Sequence, residues 1–150
     1  MSESVPEPLF VDTAAFFARF NERAPEHERA TTVFDKIRRG DVAHGPLFTS
    51  RYVLQEFATL MNQKVGHTAA VDGFETIRHS SSFNVLPVGA DTFDRSVDQF
   101  RTYDDQEISF VDHTSAVLAS AREVEHVFTF DGDDFRTLGF TVVPDDTGES

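Results

Sequence analysis

The sequence predicts an α/β fold with three layers, α/β/α, around a central, mostly parallel sheet of about five short strands. Three observations carry this. Short apolar runs recur along the chain, each separated from the next by a segment with helical periodicity. Those runs are apolar at successive positions rather than alternating, as strands covered on both faces are. And 150 residues is one domain's length, able to bury roughly 70% of its unfolded surface.

The elements follow in order. Leu9-Phe10-Val11 is a first strand, ending at Asp12. Thr13 to Arg23 has helical spacing, and Pro25 marks the start of a second helix that runs to about Arg39 and stops at Gly40. Pro46-Leu47-Phe48 is the second strand. Thr49 or Ser50 caps the helix that carries Val53, Leu54, Phe57, Leu60 and Met61, and Gly66 closes it. Thr68 to about His79 is the next helix, and Phe83 to Val88 the third strand. Asp91 caps a helix to about Tyr103, and Phe110 to Arg122 is another. Val124 to Phe130 is a strand, Asp134 to Leu138 a helical turn, and Phe140 to Val143 the last strand. An acidic tail (1–8) precedes the domain (9–144), and a polar tail (145–150) follows it.

Composition removes several classes of function. An apolar fraction of 39% excludes a disordered chain. With no cysteine, a disulfide framework, a thiolate zinc site and a cysteine nucleophile are all excluded. No apolar stretch approaches the ~18 residues of a membrane span. The start, Met1 to Glu7, lacks the basic and apolar regions of a signal peptide, which places the protein in the cytoplasm. No phosphate-binding glycine loop or nucleophile elbow is present. Asp131-Gly132-Asp133-Asp134 is not a calcium loop, because the position that needs Glu is Val142.

The net charge is −13, and only Lys36 and Lys64 among the basic residues are Lys. In dilute salt such a protein repels polyanions. In ~1 M salt the Debye length falls to ~3 Å, and an acidic coat then serves solubility. Scarce Lys beside abundant Asp fits a halophilic source, so the charge does not exclude an RNA substrate. On this reading the melting temperature rises between dilute buffer and molar KCl; a flat or falling value in a thermal melt counts against it.

The acids draw most attention. Asp12 and Asp131 follow apolar strands, Asp112 precedes the helical run of Ala116, Val117 and Ala119, and Glu56 sits in or beside an apolar helical stripe. Ligands of parallel α/β sheets bind beyond the carboxyl ends of the strands. An Asp there is also a common turn former or helix cap, and a stripe-edge Glu can reach solvent. If the four converge, two carboxylates ~4 Å apart repel by ~4 kcal/mol at an effective dielectric near 20. A proton or a cation is then required, and oxygen ligands alone select Mg²⁺ or Mn²⁺. His113, beside Asp112, is assigned to packing rather than to substrate.

Four segments carry a resemblance: Leu9-Phe10-Val11-Asp12-Thr13; Thr49 to Glu56; Asp105-Gln106-Glu107-Ile108-Ser109-Phe110-Val111-Asp112; and Phe128-Thr129-Phe130-Asp131 followed by Asp134-Phe135, with Phe140 to Pro144 closing. In this order and spacing they resemble the PIN domain, a metal-dependent nuclease fold, and within it the VapC-type toxins of toxin–antitoxin pairs. The chain departs at Ala14, where the family often has a small polar residue, and at Gly132-Asp133, which loosens the last motif.

The resemblance implies a Mg²⁺-dependent endoribonuclease, with Mn²⁺ a possible substitute, in which metal-activated water leaves a 5′-phosphate and a 3′-hydroxyl. Asp12 and Asp112 are its principal metal ligands, with Glu56 and Asp131 completing the set. Asp131 is preferred to Asp134 because it ends a strand, and Asp134 caps the turn that follows. Thr13 and Thr129 support the ligands, and Arg51 is the candidate phosphate contact. Lys36, Arg38 and Arg39 form a basic cluster for RNA or for an acidic antitoxin segment, or else compensate a helix terminus. The implied partners are RNA, a VapB-like antitoxin and a second copy of the chain in a homodimer. Phe16, Phe17, Phe20, Val33 and Phe34 are either core or a groove for the antitoxin's helix. The alternatives are an RNA-processing nuclease without an antitoxin and a binding PIN domain without catalysis.

Overall fold

The structure, a computed structural model, describes residues 5–104 and 106–149. Asp105, the first acid of the third motif, lies outside the described residues, as do most of the N-terminal tail and Ser150. Chain order is β1 (Glu7–Val11), α1 (Thr13–Phe20), α2 (His27–Arg39), β2 (His44–Ser50), α3 (Arg51–Lys64), α4 (His67–His79), β3 (Phe83–Leu86), α5 (Ala90–Thr102), α6 (Phe110–Ala121), β4 (His126–Phe128), α7 (Asp133–Thr137) and β5 (Thr141–Val143).

All five strands pair in parallel, in the order β3-β2-β1-β4-β5. The strand order reverses beside β1, between β1 and β4, and such a reversal opens a crevice at the carboxyl ends of the two strands. Val11 stands level with Phe128, and Phe128 with Val143, so Asp12 and Thr129 leave the sheet side by side.

Both faces of the sheet are covered. Leu9, Phe10, Val11, Val127, Val142 and Val143 are fully buried, which accounts for the unbroken apolar runs in these strands. Along β2, Leu47 turns toward Phe16 of α1, Phe34 of α2 and Ile77 of α4. Its neighbour Phe48 turns to the other face, under Arg122 at the end of α6. Gly40 and Gly132 are among the positions that need glycine. Gly40 ends α2 at φ 76, the left-handed region that only Gly enters freely. At Gly132 a Cβ would lie 2.7 Å from Val142 Cγ1, so this turn closes against β5 only without a side chain.

The structure corrects several expectations. Asp91 does not cap α5: Gly89 holds the cap position, and Asp91 in the first turn pairs with Arg95 one turn on, at 3.1 Å. β4 is shorter than its apolar pattern and stops at Phe128. Phe16 and Val33 are core, and Phe17, Phe20 and Phe34 pack against it. Phe16 stacks on Phe34 at 6.0 Å, and Phe34 meets Phe128 at 4.8 Å. These five side chains therefore serve mainly the interior, although Phe16, Phe20 and Phe34 also floor a cleft of about 610 Å³ between α1, α2 and α4.

The segment after Pro144 runs back along α2 instead of trailing away. Arg29 pairs with Asp145 at 2.8 Å, the Lys36 ammonium donates to the Glu149 carbonyl at 3.4 Å, and the buried His44 meets the Glu149 carboxylate at 2.7 Å. Arg38 and Arg39 pair with Asp35 and Asp41. The basic cluster on α2 is thus engaged by the protein itself, Arg38 and Arg39 by acids and Lys36 by a backbone carbonyl.

Candidate active site

The strand-to-helix junction after β1 places Asp12. Its residue occupies the N-cap position of α1, yet the carboxylate makes no cap hydrogen bond. Instead Oδ2 accepts the Thr129 hydroxyl at 3.0 Å, while Oδ1 is buried with no hydrogen-bond partner. The capping role that an Asp after a strand commonly fills is therefore not the one it has here. Thr129 Oγ1 also accepts the Asp131 amide at 3.1 Å. One hydroxyl thus ties the first acid to the turn that carries the last ones, across 117 residues of sequence. From the neighbouring strand, Thr49 Oγ1 donates to the Val11 carbonyl at 2.9 Å and pins the end of β1.

Two capped helices bring in the next acids. Ser50 accepts the Val53 amide and starts α3 directly after β2, so Glu56 lies between the buried Val53 and the half-buried Leu60. Ser109 accepts the Asp112 amide and starts α6, which puts Asp112 in its first turn, half-buried. A carboxylate near a helix N-terminus is favoured by the helix dipole; at this one the opposing effects are larger.

Burial pushes the Asp112 carboxyl up to about 8, helped by the negative charges of Asp12, Glu56, Asp134 and Asp131, in decreasing order. Burial likewise pushes Asp12 up to about 6. The Thr13 and Ala14 amides, which face the carboxylate without closing a cap hydrogen bond, and the Thr129 hydroxyl restrain the rise, while the Glu56 charge adds to it. Burial and the charges of Asp131 and Asp133 raise Asp134. The acids singled out in the sequence, from four separate segments, therefore act on one another at the carboxyl ends of β1 and β4.

Asp131 and Asp134 differ from their expected places in the backbone. β4 ends three residues before Asp131, which is exposed, so Asp131 does not end a strand. Asp134 does not cap α7: Gly132 holds the cap position and Asp134 lies within the helix, half-buried and with the stronger effect on Asp112.

Other expected residues are placed as follows. Thr13 is buried, with its hydroxyl unpartnered. Arg51 is exposed at the start of α3 and lines a hollow with Leu54, Phe74 and Arg78. His113 is buried, and its Nδ1 meets Gln99 Oε1 at 2.8 Å, where it donates to the amide oxygen; burial lowers its pKa. Its role is packing. Ser115 was not singled out in the sequence, and Thr49 only as a candidate helix cap. Ser115 is buried three residues after Asp112, with its hydroxyl unpartnered. The signal for it was its place as the last polar residue before the apolar run Ala116 to Ala119.

A bound cation is compatible with this chemistry. The donors are all oxygen, Asp12 Oδ1 is buried without a partner, and the repulsion that adds to burial in raising Asp12 and Asp112 is what a hard divalent ion relieves. Among the described residues no three His, Asp or Glu side chains are placed close enough together to hold a metal ion as they stand.

The PIN domain model matches residues 9–140. The 23S rRNA-specific endonuclease VapC20 of Mycobacterium tuberculosis is 34% identical over 137 residues, covering 90% of this chain and 97% of that protein. Ribonuclease VapC26 of the same organism is 25% identical over 142 residues, 91% of this chain and 100% of the relative. The crystal structure of VapC20, described as a Sarcin-Ricin loop cleaving toxin, superposes with a TM-score of 0.79 at 32% identity, over 89% of this chain and 96% of that one.

Proposed function

This chain belongs to the PIN domain family, and on that premise we propose that it is a divalent-metal-dependent endoribonuclease, the toxin of a VapC-type toxin–antitoxin pair. The observation that carries the reading is the mutual charge of Asp12, Glu56, Asp112, Asp131 and Asp134 at the reversal in strand order. The 34% identity to an endonuclease of 23S rRNA makes large-subunit ribosomal RNA the first substrate to offer.

In this reading Asp12 and Asp112 hold the metal, Mg²⁺ or in its place Mn²⁺, with Glu56 and Asp131 or Asp134 completing the set. Bound there, the ion supplies a lowered pKa for water and neutralises charge on the phosphate. The chain's residues do the rest. Thr129 fixes the Asp12 carboxylate through Oδ2 and leaves Oδ1 free to ligate. Ser50 and Ser109 set the starts of the helices that aim Glu56 and Asp112. Arg51, at the start of α3, offers a guanidinium to a flanking phosphate. Thr13 supports Asp12 from the next position. An antitoxin would inhibit by inserting an Arg among these carboxylates, whose geometry its planar fork matches, and the active form would be a homodimer.

The test is incubation of the purified chain with total and ribosomal RNA. Cleavage with Mg²⁺ or Mn²⁺, lost in EDTA and leaving 5′-phosphate ends, is expected. Cleavage that survives EDTA would sink the metal dependence, and intact RNA at saturating metal would sink the activity.

A further inference from the structure

Asp134 reaches the other acids from α7, a helix of only 5 residues. A helix this short does not hold itself in place, so its position depends on what its side chains grip. Phe135 is buried and meets Phe140 edge-on at 6.3 Å. Just before the helix, Gly132 closes onto Val142 of β5. The third grip is Arg136. Its Nε donates to both carboxylate oxygens of Asp146, at 3.0 and 3.1 Å, and its Nη2 lies 2.9 Å from Asp146 Oδ1. Its Nη1 donates to Asp133 at 2.9 Å.

Asp146 is itself anchored to the sheet. Its carboxylate accepts the Val142 amide at 2.9 Å, and its own amide donates to the Val142 carbonyl at 2.8 Å. The segment around it is tied at two further points, Asp145 to Arg29 and Glu149 to His44. The Arg136 hydrogen bonds and the Val142 amide hold the Asp146 carboxyl below its ordinary value. An isolated surface ion pair fixes little, but a bidentate one joined to a backbone amide is the kind that does. These two side chains are 38% and 32% exposed, so neither is free in solvent. Asp146 also lies beyond residues 9–140, which the PIN domain model matches, so the family pattern gives it no role.

We propose that Arg136 and Asp146 are positioning residues, a brace from β5 that fixes α7 and the turn before it, and so sets Asp134 and Asp131 for the divalent ion. The inference rests on the metal-dependent reading above and adds to it the residues that hold one side of the metal site.

The experiment reads Mn²⁺ binding by the full chain from the EPR signal of the free ion, with no RNA present. Arg136→Ala and Asp146→Asn are each expected to weaken binding about tenfold, the lower range for groups that orient metal ligands. The double variant loses no more than either, because the pair acts as one unit. Charge alone gives Arg136→Ala the opposite sign: taking a cation away from a group of acids tightens the binding of a divalent ion. Arg136→Lys, which keeps the charge and loses the planar fork, also binds more weakly than wild type. Asp146→Asn keeps an acceptor for the Val142 amide, so it carries the test even where Arg136→Ala does not fold. Unchanged or tighter binding in Arg136→Ala, or unchanged binding in Asp146→Asn, overturns the brace alone when the wild-type chain binds. A wild-type chain that takes up no Mn²⁺ at millimolar concentration overturns the metal-dependent reading, and the brace with it.

Discussion

Asp12→Asn is expected to reduce metal-dependent RNA cleavage by more than about 100-fold, the upper range for losing even an outer-shell partner of a metal site, while the metal-free protein keeps or gains stability. Asn preserves the shape of the side chain, and its amide oxygen can still accept the Thr129 hydroxyl that Oδ2 accepts now. What disappears is a charge that burial already disfavours and that Glu56 repels. Its removal also takes away the largest of the neighbouring charges that raise Asp112. The activity assay and a thermal melt in EDTA should therefore move in opposite directions. Wild-type rates from the pure variant at saturating Mg²⁺ would refute the assignment. A large drop in melting temperature would show that Asp12 is chiefly a structural residue.

The second large effect concerns pH. Asp12 and Asp112 are pushed up to about 6 and about 8, against an ordinary value near 4. Between pH 4 and 8 the folded chain therefore holds more protons at these groups than the unfolded chain. Their contribution to stability is complete below pH 4 and is lost as pH rises through the folded values. A tenfold change in proton affinity is ~1.4 kcal/mol, so the loss across the window amounts to a few kcal/mol. The lowered pKa of His113 works the other way below about 6.5. The clean window is thus pH 6.5 to 8, where Asp112 dominates. In EDTA the melting temperature should fall across it. A divalent cation competes with those protons, so Mg²⁺ should raise the melting temperature more at pH 8 than at pH 5. Asp112→Asn should flatten the slope. A melting temperature that rises from pH 6.5 to 8 in EDTA, or an equal slope in the variant, would show that the charge cluster does not control stability.

Much of the architecture was legible because it is written in local patterns. The apolar runs from Leu9, Leu47, Phe83, Val127 and Val142 mark strands whose neighbours lie on both faces, and the stripe of Val53, Leu54, Phe57 and Met61 marks a helix. Gly40 and Ser50 punctuate these elements where backbone conformation and capping demand it. The boundaries were less legible. β4 carries apolar residues beyond its last paired residue, since Thr129 and Phe130 are buried or half-buried without being in the ladder. An apolar pattern reports burial, and pairing stops earlier. Asp91 shows the same limit: the residue type suits a cap, but a partner at Arg95 takes its carboxylate.

The sequence by itself determined which carboxylates could matter, because an acid just past a strand or within an apolar stripe is anomalous by local rules. Only the tertiary structure decided what each one does. Asp12 lost the capping role to a hydroxyl 117 residues away. Asp134 became more enclosed than Asp131 because Gly132 lets the turn close onto Val142. The tail reading of 145–149 gave way to an ion pair with Arg29 and a hydrogen bond with His44. The physical reason is common to all three. Desolvation and Coulomb repulsion depend on which groups are brought within a few ångströms, and in a parallel sheet those groups come from segments far apart in the chain.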